Sequence, residues 1–162
     1  MPHFSFNTPI GPLALFEADD AIVAVDWGWL PDNEESPLLL RARDQLEEYF
    51  EGKRQIFDLP LAPHGTAFQR KVWAELEKIP FGATLTYGQL AERLGTAPRA
   101  LGGACGRNPI PVIIPCHRVL AANGGLGGYS GIDGIETKEI LLRLEGLEIT
   151  NSRVLSPAGK KY

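Results

Sequence analysis

The chain is poor in the residues that carry most metal and redox chemistry: 162 residues contain two cysteines, three histidines and one methionine. Cys105 and Cys116 form no Cys-x-x-Cys pair, and His3, His64 and His117 are scattered, which speaks against a structural zinc site. No apolar run approaches the roughly 18 residues that a membrane span requires. The start, Met1-Pro2-His3-Phe4-Ser5, has neither a basic region nor an apolar core, so no secretion signal is expected. Residence in the cytoplasm follows as the expectation, with both cysteines as free thiols. Nor is positive charge in excess: 16 basic residues face 20 acidic ones, a net charge of −4.

What is present is ordinary for a globular protein with a real core: 44% apolar and 22% charged residues. The charge, however, is unevenly spread. Residues 1–60 carry twelve Asp/Glu and four Lys/Arg, and residues 61–162 carry eight and twelve. An acidic total therefore leaves room for a basic contact face on the second half, and the local field is what a polyanion meets.

Residues 3–29 alternate in short apolar runs punctuated by Gly11-Pro12 and Asp19-Asp20, the pattern of a small antiparallel sheet. Apolar residues recur at helical spacing from Leu38 to Phe50, and Ile56 to Leu61 predicts one more strand. Together these give an N-terminal α/β domain over 1–60, with Pro60 to Gly65 as linker. A C-terminal, mainly helical domain over 66–150 follows, making the whole an α+β fold. It opens with a helix from Thr66 or Ala67 to Ile79 whose apolar stripe is Phe68, Val72, Leu76 and Ile79, with Trp73 adjoining. Thr86 caps a short helix, Tyr87 to Leu94, that Gly95 ends. Pro98 opens another, to Cys105 or Gly106, with the small residues Ala100, Gly102, Gly103 and Ala104. Two short helices joined by a tight glycine turn read as a helix-turn-helix, although many helical pairs share that pattern. A last helix runs from Glu136 to Leu144 with Ile140, Leu141 and Leu144 apolar, and residues 151–162 form a frayed tail.

The feature that carries most chemistry is Ile113-Ile114-Pro115-Cys116-His117-Arg118-Val119, with Asn108-Pro109 just upstream. A cysteine beside Ile113-Ile114 is also what a small core residue looks like. Pro115 places it where the chain changes direction. The basic pair His117-Arg118 favours thiolate, the nucleophilic form, and a histidine can take the thiol proton. Five glycines lie in residues 123–131, the pattern either of a flexible surface loop or of a chain passing close to a ligand, with Tyr129-Ser130 supplying contacts. Arg99, near the start of the small-faced helix, is a candidate to reach into a groove or base stack, with Lys71, Arg93 and Arg107 as phosphate contacts.

Tyr87-Gly88-Gln89-Leu90-Ala91, Arg99-Ala100-Leu101-Gly102-Gly103-Ala104, Asn108-Pro109, Pro115-Cys116-His117-Arg118-Val119 and Gly128-Tyr129-Ser130-Gly131 together resemble, in order and spacing, the O6-alkylguanine-DNA alkyltransferases of single-polypeptide type. The resemblance is strong over residues 66–146 and weak before them. It implies a monomer that binds double-stranded DNA, extrudes a damaged base and moves the alkyl group of O6-methylguanine, and of O4-methylthymine, irreversibly onto its own cysteine. It implies no metal and no cofactor, since the N-terminal metal ligands of some members lack their cysteines here and only His64 remains. Carried onto this chain, Cys116 resembles the acceptor, His117 the relay that draws its proton through a water, Glu145 the group behind the imidazole, and Asn108 the residue that orders the turn. Arg99 resembles the finger that fills the vacated stack, and Tyr87 the residue that turns the 3′ phosphate and donates to the base. Tyr129 would pack over the pocket, the Ser130 backbone would donate to O6, and the Cys116 and Val119 carbonyls would accept from the guanine amine. Gly131 to Ile135 departs from the family pattern, which bears on pocket width. Two other readings compete: a lesion sensor that binds without reacting, and a cysteine hydrolase using Cys116 and His117. Cys105 reads as a helix-packing residue rather than a second acceptor.

Overall fold

The structure is a computed structural model that describes residues 1–127, 134–155 and 160–161. The chain divides into two units, Met1–His64 with Pro109–Pro111, and Gly65–Asn108 with Val112–Tyr162. The fold class is the expected α+β.

In the first unit, β1 (His3–Thr8), β2 (Gly11–Ala18) and β3 (Ala21–Trp27) form an antiparallel meander. Asp19 and Asp20 turn β2 into β3 with φ of 49° and 63°. Two left-handed residues in succession make the hairpin turn whose twist suits the flanking strands, and aspartate tolerates that region better than most side chains. The Ser36 side chain accepts the Leu39 N–H to start α1 (Pro37–Phe50), and Pro37 sits where no N–H is needed. Leu39, Ala42, Leu46 and Tyr49 of α1 are fully buried, as are Leu13, Leu15 and Ile22 of the sheet, so one helical stripe meets one sheet face.

Residues 56–61 are not the strand their apolar pattern predicted. Only one bridge forms, Ile22 with Leu61, in which Ile22 N–H donates to the Pro60 carbonyl and Ala62 N–H to the Ile22 carbonyl. Pro60 and Pro63 lack the donors that would extend a ladder. The segment is held instead by Gln45, whose side-chain amide gives to and takes from the Asp58 backbone at 3.1 and 2.9 Å. Ile56 stays 78% exposed.

The second unit begins with α2 (Ala67–Leu76), entered through a capping box between Thr66 and Gln69. A short strand, β4 (Ala83–Thr86), feeds directly into α3 (Tyr87–Leu94), where Thr86 and Gln89 form a second capping box and Gly95 ends the helix at φ 64°. Then comes α4 (Pro98–Gly106), which completes the helix-turn-helix. The stripe read for α2 needs two amendments: the helix stops at Leu76 and Phe68 is 38% exposed, whereas Val72, Leu76 and Ile79 are buried as read, and buried with them is Trp73. Its indole N–H donates to the Ala104 carbonyl at 3.0 Å, tying α2 to α4, which lets the polar end of a large ring go inside.

Beyond the Cys116–Arg118 3-10 turn, β5 (Val119–Leu120) pairs in parallel with β4. The last helix, α5 (Ile135–Leu144), buries Thr137, Lys138, Leu141 and Leu142, whereas Ile140, one of its apolar residues, is 43% exposed. Residues 151–155 of the tail read as frayed instead fold back. Asn151 and Ser152, at φ 54° and 56°, turn β6 (Ile149–Thr150) into β7 (Arg153–Val154). Val154 packs on the cluster of Leu120, Leu126, Leu142, Leu147 and Ile149. Further on, β8 (Lys160–Lys161) pairs in parallel with β4. Among the described residues no helix is long and apolar enough to cross a membrane.

Thr86 closes α3 where the helix-turn-helix starts. Thr86→Ala should lower stability by about 1 kcal/mol, read in thermal unfolding as a Tm drop of roughly 2–4 °C.

Candidate active site

The loop that carries Cys116 is built from backbone constraints. Val112 sits at φ 72°, a region that branched side chains rarely enter. Pro115, at φ −81° and ψ 64°, is the centre of an inverse γ-turn closed by the Cys116 N–H on the Ile114 carbonyl at 2.8 Å. The same carbonyl accepts from Asn108 Nδ2 at 2.9 Å, and the Asn108 side chain also hydrogen-bonds the Cys116 sulfur. One amide therefore fixes both the turn and the atom the turn presents.

His117, next in the 3-10 turn, has no exposed surface. Its Nε2 lies 2.7 Å from Glu145 Oε2. Arg118 grips the same carboxylate with two parallel bonds, Nε to Oε1 at 2.8 Å and Nη2 to Oε2 at 3.0 Å, and gives Nη1 to the Ile79 carbonyl at 2.6 Å. A carboxylate beside Nε2 fixes the tautomer with the proton on Nε2, leaving a lone pair on Nδ1. Nδ1 is buried and has no hydrogen-bond partner among the described residues. An acceptor left open in this way, on the residue that follows the thiol in the chain, is what a general base requires.

Burial lowers the His117 pKa despite the opposing pull of Glu145, so the imidazole rests neutral. Burial raises the Cys116 thiol, against the Asn108 hydrogen bond and the charge of Lys138. This corrects the expectation that His117-Arg118 favours thiolate: one is neutral, and the other is spent on Glu145. The resting pair is thiol and imidazole, and the anion forms only as the proton leaves. Burial would also raise Glu145, but the His117 hydrogen bond and the hydrogen bonds and charge of Arg118 hold it at about 2.

The remaining predicted residues fall into three places. Tyr87, first residue of α3, is half-buried, and burial, with Cys105 and Cys116 nearby, pushes its hydroxyl up to about 12. Arg99 and Arg107 are exposed at the two ends of α4, as are Lys71 and Arg93 elsewhere. The Cys116 and Val119 carbonyls each already hold one donor, the Val119 N–H and Lys138 Nζ respectively, leaving each a second lone pair. Tyr129, Ser130 and residues 131–133 of the departure from the family pattern lie outside the described residues. Cys105 is buried on α4 with its thiol pushed up to about 12, the state of a packing residue. Among the described residues no three His, Cys, Asp or Glu gather to hold a metal ion.

One buried residue was missed. Lys138 has no exposed surface and donates Nζ to the Val119 carbonyl at 2.6 Å and the Gly127 carbonyl at 3.4 Å. Its signal is positional: Lys138, Leu141, Leu142 and Glu145 recur at one-face helical spacing, so two charged residues share the inward stripe.

A helix-turn-helix joined to a buried, amide-anchored thiol and a neutral base defines a protein that uses cysteine as a nucleophile towards a ligand of that helix pair. Comparison with known proteins gives the particular class. Residues 67–147 match the family described as 6-O-methylguanine DNA methyltransferase, DNA binding domain, and residues 3–63 match its ribonuclease-like domain. Similar chains include the methylated-DNA--protein-cysteine methyltransferase of Methanosarcina acetivorans, 44% identical over 87% of this chain and 96% of its own. The constitutive Bacillus subtilis protein of the same name is 42% identical over 86% and 92%. In solved structures, Mycobacterium tuberculosis OGT in complex with DNA superposes with a TM-score of 0.81, at 40% identity over 88% of this chain and 91% of that one. The chain belongs to the 6-O-methylguanine DNA methyltransferase family.

The Glu145 cluster makes an acid-sensitivity prediction. Folding lowers this carboxyl, so its stabilisation is complete above about 4.5 and is lost as pH falls through about 2. Urea midpoints of the wild type should fall across that window. Glu145→Gln strands the Arg118 guanidinium and should start lower by about 3–5 kcal/mol, with the gap narrowing as the pH drops.

Proposed function

We propose that Cys116 is the acceptor in this chain. The chain is a direct-reversal repair enzyme that moves an alkyl group from O6-alkylguanine in DNA to a cysteine, once per molecule. The observation that carries the assignment is that the thiol on the turn held by Asn108 is followed directly by an imidazole whose Nε2 is committed to Glu145 and whose Nδ1 is open. The thiol proton passes towards Nδ1, through a water. The sulfur attacks the O-alkyl carbon in line, an S–C bond forms as the C–O6 bond breaks, and the electron pair stays on the purine. The purine anion needs a donor as it leaves. Tyr87 supplies one, its high pKa keeping the proton on the hydroxyl until it is needed. The thioether has no return path, so the reaction is stoichiometric.

The exposed face of α4 supports duplex binding and base extrusion. Arg99 and Arg107 flank Ala100, Gly103 and Gly106, and a Cβ built on Gly102, Gly103 or Gly106 would meet nothing within 4 Å. Packing within the protein does not demand glycine there, whereas close approach of a second body does. Arg99 fills the stack after extrusion, which offsets an unstacking cost of a few kcal/mol, and Arg107 contacts phosphate. Asn108 holds the turn and Val119 accepts from the guanine amine; for Tyr129 and Ser130, which lie outside the described residues, the family resemblance supports contact with the base. O4-methylthymine, smaller but presenting an equivalent O-alkyl carbon, is a second substrate. One chain holds every group the reaction needs, which supports action as a cytoplasmic monomer.

After incubation with an O6-methylguanine duplex, the Cys116 peptide should gain the mass of one CH2, and Cys116→Ala should gain none. Retention on DNA without a mass change would instead identify a lesion sensor, and repeated turnover on an ester a hydrolase. Arg99→Ala should slow transfer from duplex DNA by on the order of tenfold and leave reaction with the free O6-alkylguanine base unchanged.

A further inference from the structure

Among the described residues, Lys138 is the buried charge near the site that the reaction so far leaves without a task. It lies on α5 with no exposed surface, and among the described residues it pairs with no carboxylate. Burying an ammonium without an anion is expensive, and an apolar chain of similar volume would fill the space at lower cost. Its short bond goes to a single main-chain oxygen, the Val119 carbonyl at 2.6 Å, with a longer one to Gly127 at 3.4 Å, and Nζ stands 5.9 Å from the centre of the Tyr87 ring. The lysine therefore joins α5 to β5 and to the first part of the glycine-rich run.

We propose that Lys138 is a positioning residue for base selection: it holds the Val119 carbonyl so that the second lone pair faces the exocyclic amine of the extruded guanine. This rests on the reading of Val119 as an amine acceptor. A carbonyl at the end of a two-residue strand has little to fix its plane, because β5 offers only Val119 and Leu120 to pair with Leu85 and Thr86. A donor 2.6 Å away on a buried side chain occupies one lone pair and so orients the other. Pockets built to bond a polar group reject analogues that lack it, because the buried partner is then left unpaired. Lys138 thereby converts a main-chain oxygen into a test for the 2-amino group.

The test compares single-turnover transfer from duplexes carrying O6-methylguanine or O6-methylhypoxanthine, which lacks that amine, for wild type, Lys138→Met and Lys138→Arg. Thermal stability and the pH profile of Cys116 alkylation by iodoacetamide are followed in each. The wild type should prefer the guanine lesion. In Lys138→Met the ratio of the O6-methylguanine to the O6-methylhypoxanthine rate should fall about tenfold, while loss of the charge that favours the thiolate moves the alkylation profile up in pH and affects both lesions alike, so that it cancels in the ratio. Lys138→Arg, which keeps a donor, should restore part of the preference. A loss that is parallel on both lesions, leaving the preference of Lys138→Met unchanged, overturns the role of Lys138. A wild type that does not discriminate overturns the Val119 reading and this inference with it, whereas Cys116 as acceptor is judged separately by the mass gain.

Discussion

Everything chemical in this protein turns on the Glu145 carboxylate. It is buried, yet three donors from two adjacent residues converge on it, and those residues immediately follow Cys116, the proposed acceptor. Arg118 supplies the charge that allows an anion in the interior, and its third nitrogen anchors the group to the Ile79 carbonyl. With both oxygens held, the carboxylate can do one thing for His117, which is to fix which nitrogen carries the proton. The arrangement is costly if any member is removed, because each would leave an unpaired group inside. It is therefore a device for orientation more than for stability.

The same logic separates activation from reactivity at rest. Burial holds Cys116 as a thiol and His117 as a neutral ring, so the site carries no standing nucleophile that would react with passing electrophiles. Proton transfer and displacement become linked steps that require the alkyl carbon to be in place. A protein that is consumed by its own reaction gains from such restraint. The exposed α4 face complements it: specificity begins with a helix whose glycines the fold itself does not need.

Much of this was legible in the residues, and the misses have physical causes. The caps at Ser36, Thr66 and Thr86 and the stop at Gly95 act within a few residues, so local chemistry placed α1, α2 and α3 to within about three residues at each end. Segment 56–61 was misread because an apolar run does not reveal where its hydrogen bonds go, and two prolines with one buried glutamine decided that. The stripes of α2 and α5 were read incompletely for a different reason. Trp73 and Lys138 go inside only because distant carbonyls, of Ala104 and Val119, are there to receive them. Resemblance named Cys116, His117, Glu145 and Asn108 as a set; spacing alone gave Cys116 and His117 as neighbours, and nothing local joins them to Glu145, 28 residues on.

The Asn151-Ser152 turn has a practical bearing on how this unit is bounded. Val154 pairs with Ile149 and packs on the cluster that includes Leu120, the residue after Val119. Leu126 N–H gives to the Ser152 carbonyl, and Val154 N–H to the Gly124 carbonyl. A shortened version ending at Thr150 would keep every reactive group and yet uncover one wall of an apolar cluster, releasing backbone partners on either side of the glycine-rich run. The minimal autonomous piece extends at least to Val154, since the far end of the polypeptide braces the segment on which the reactive centre is mounted.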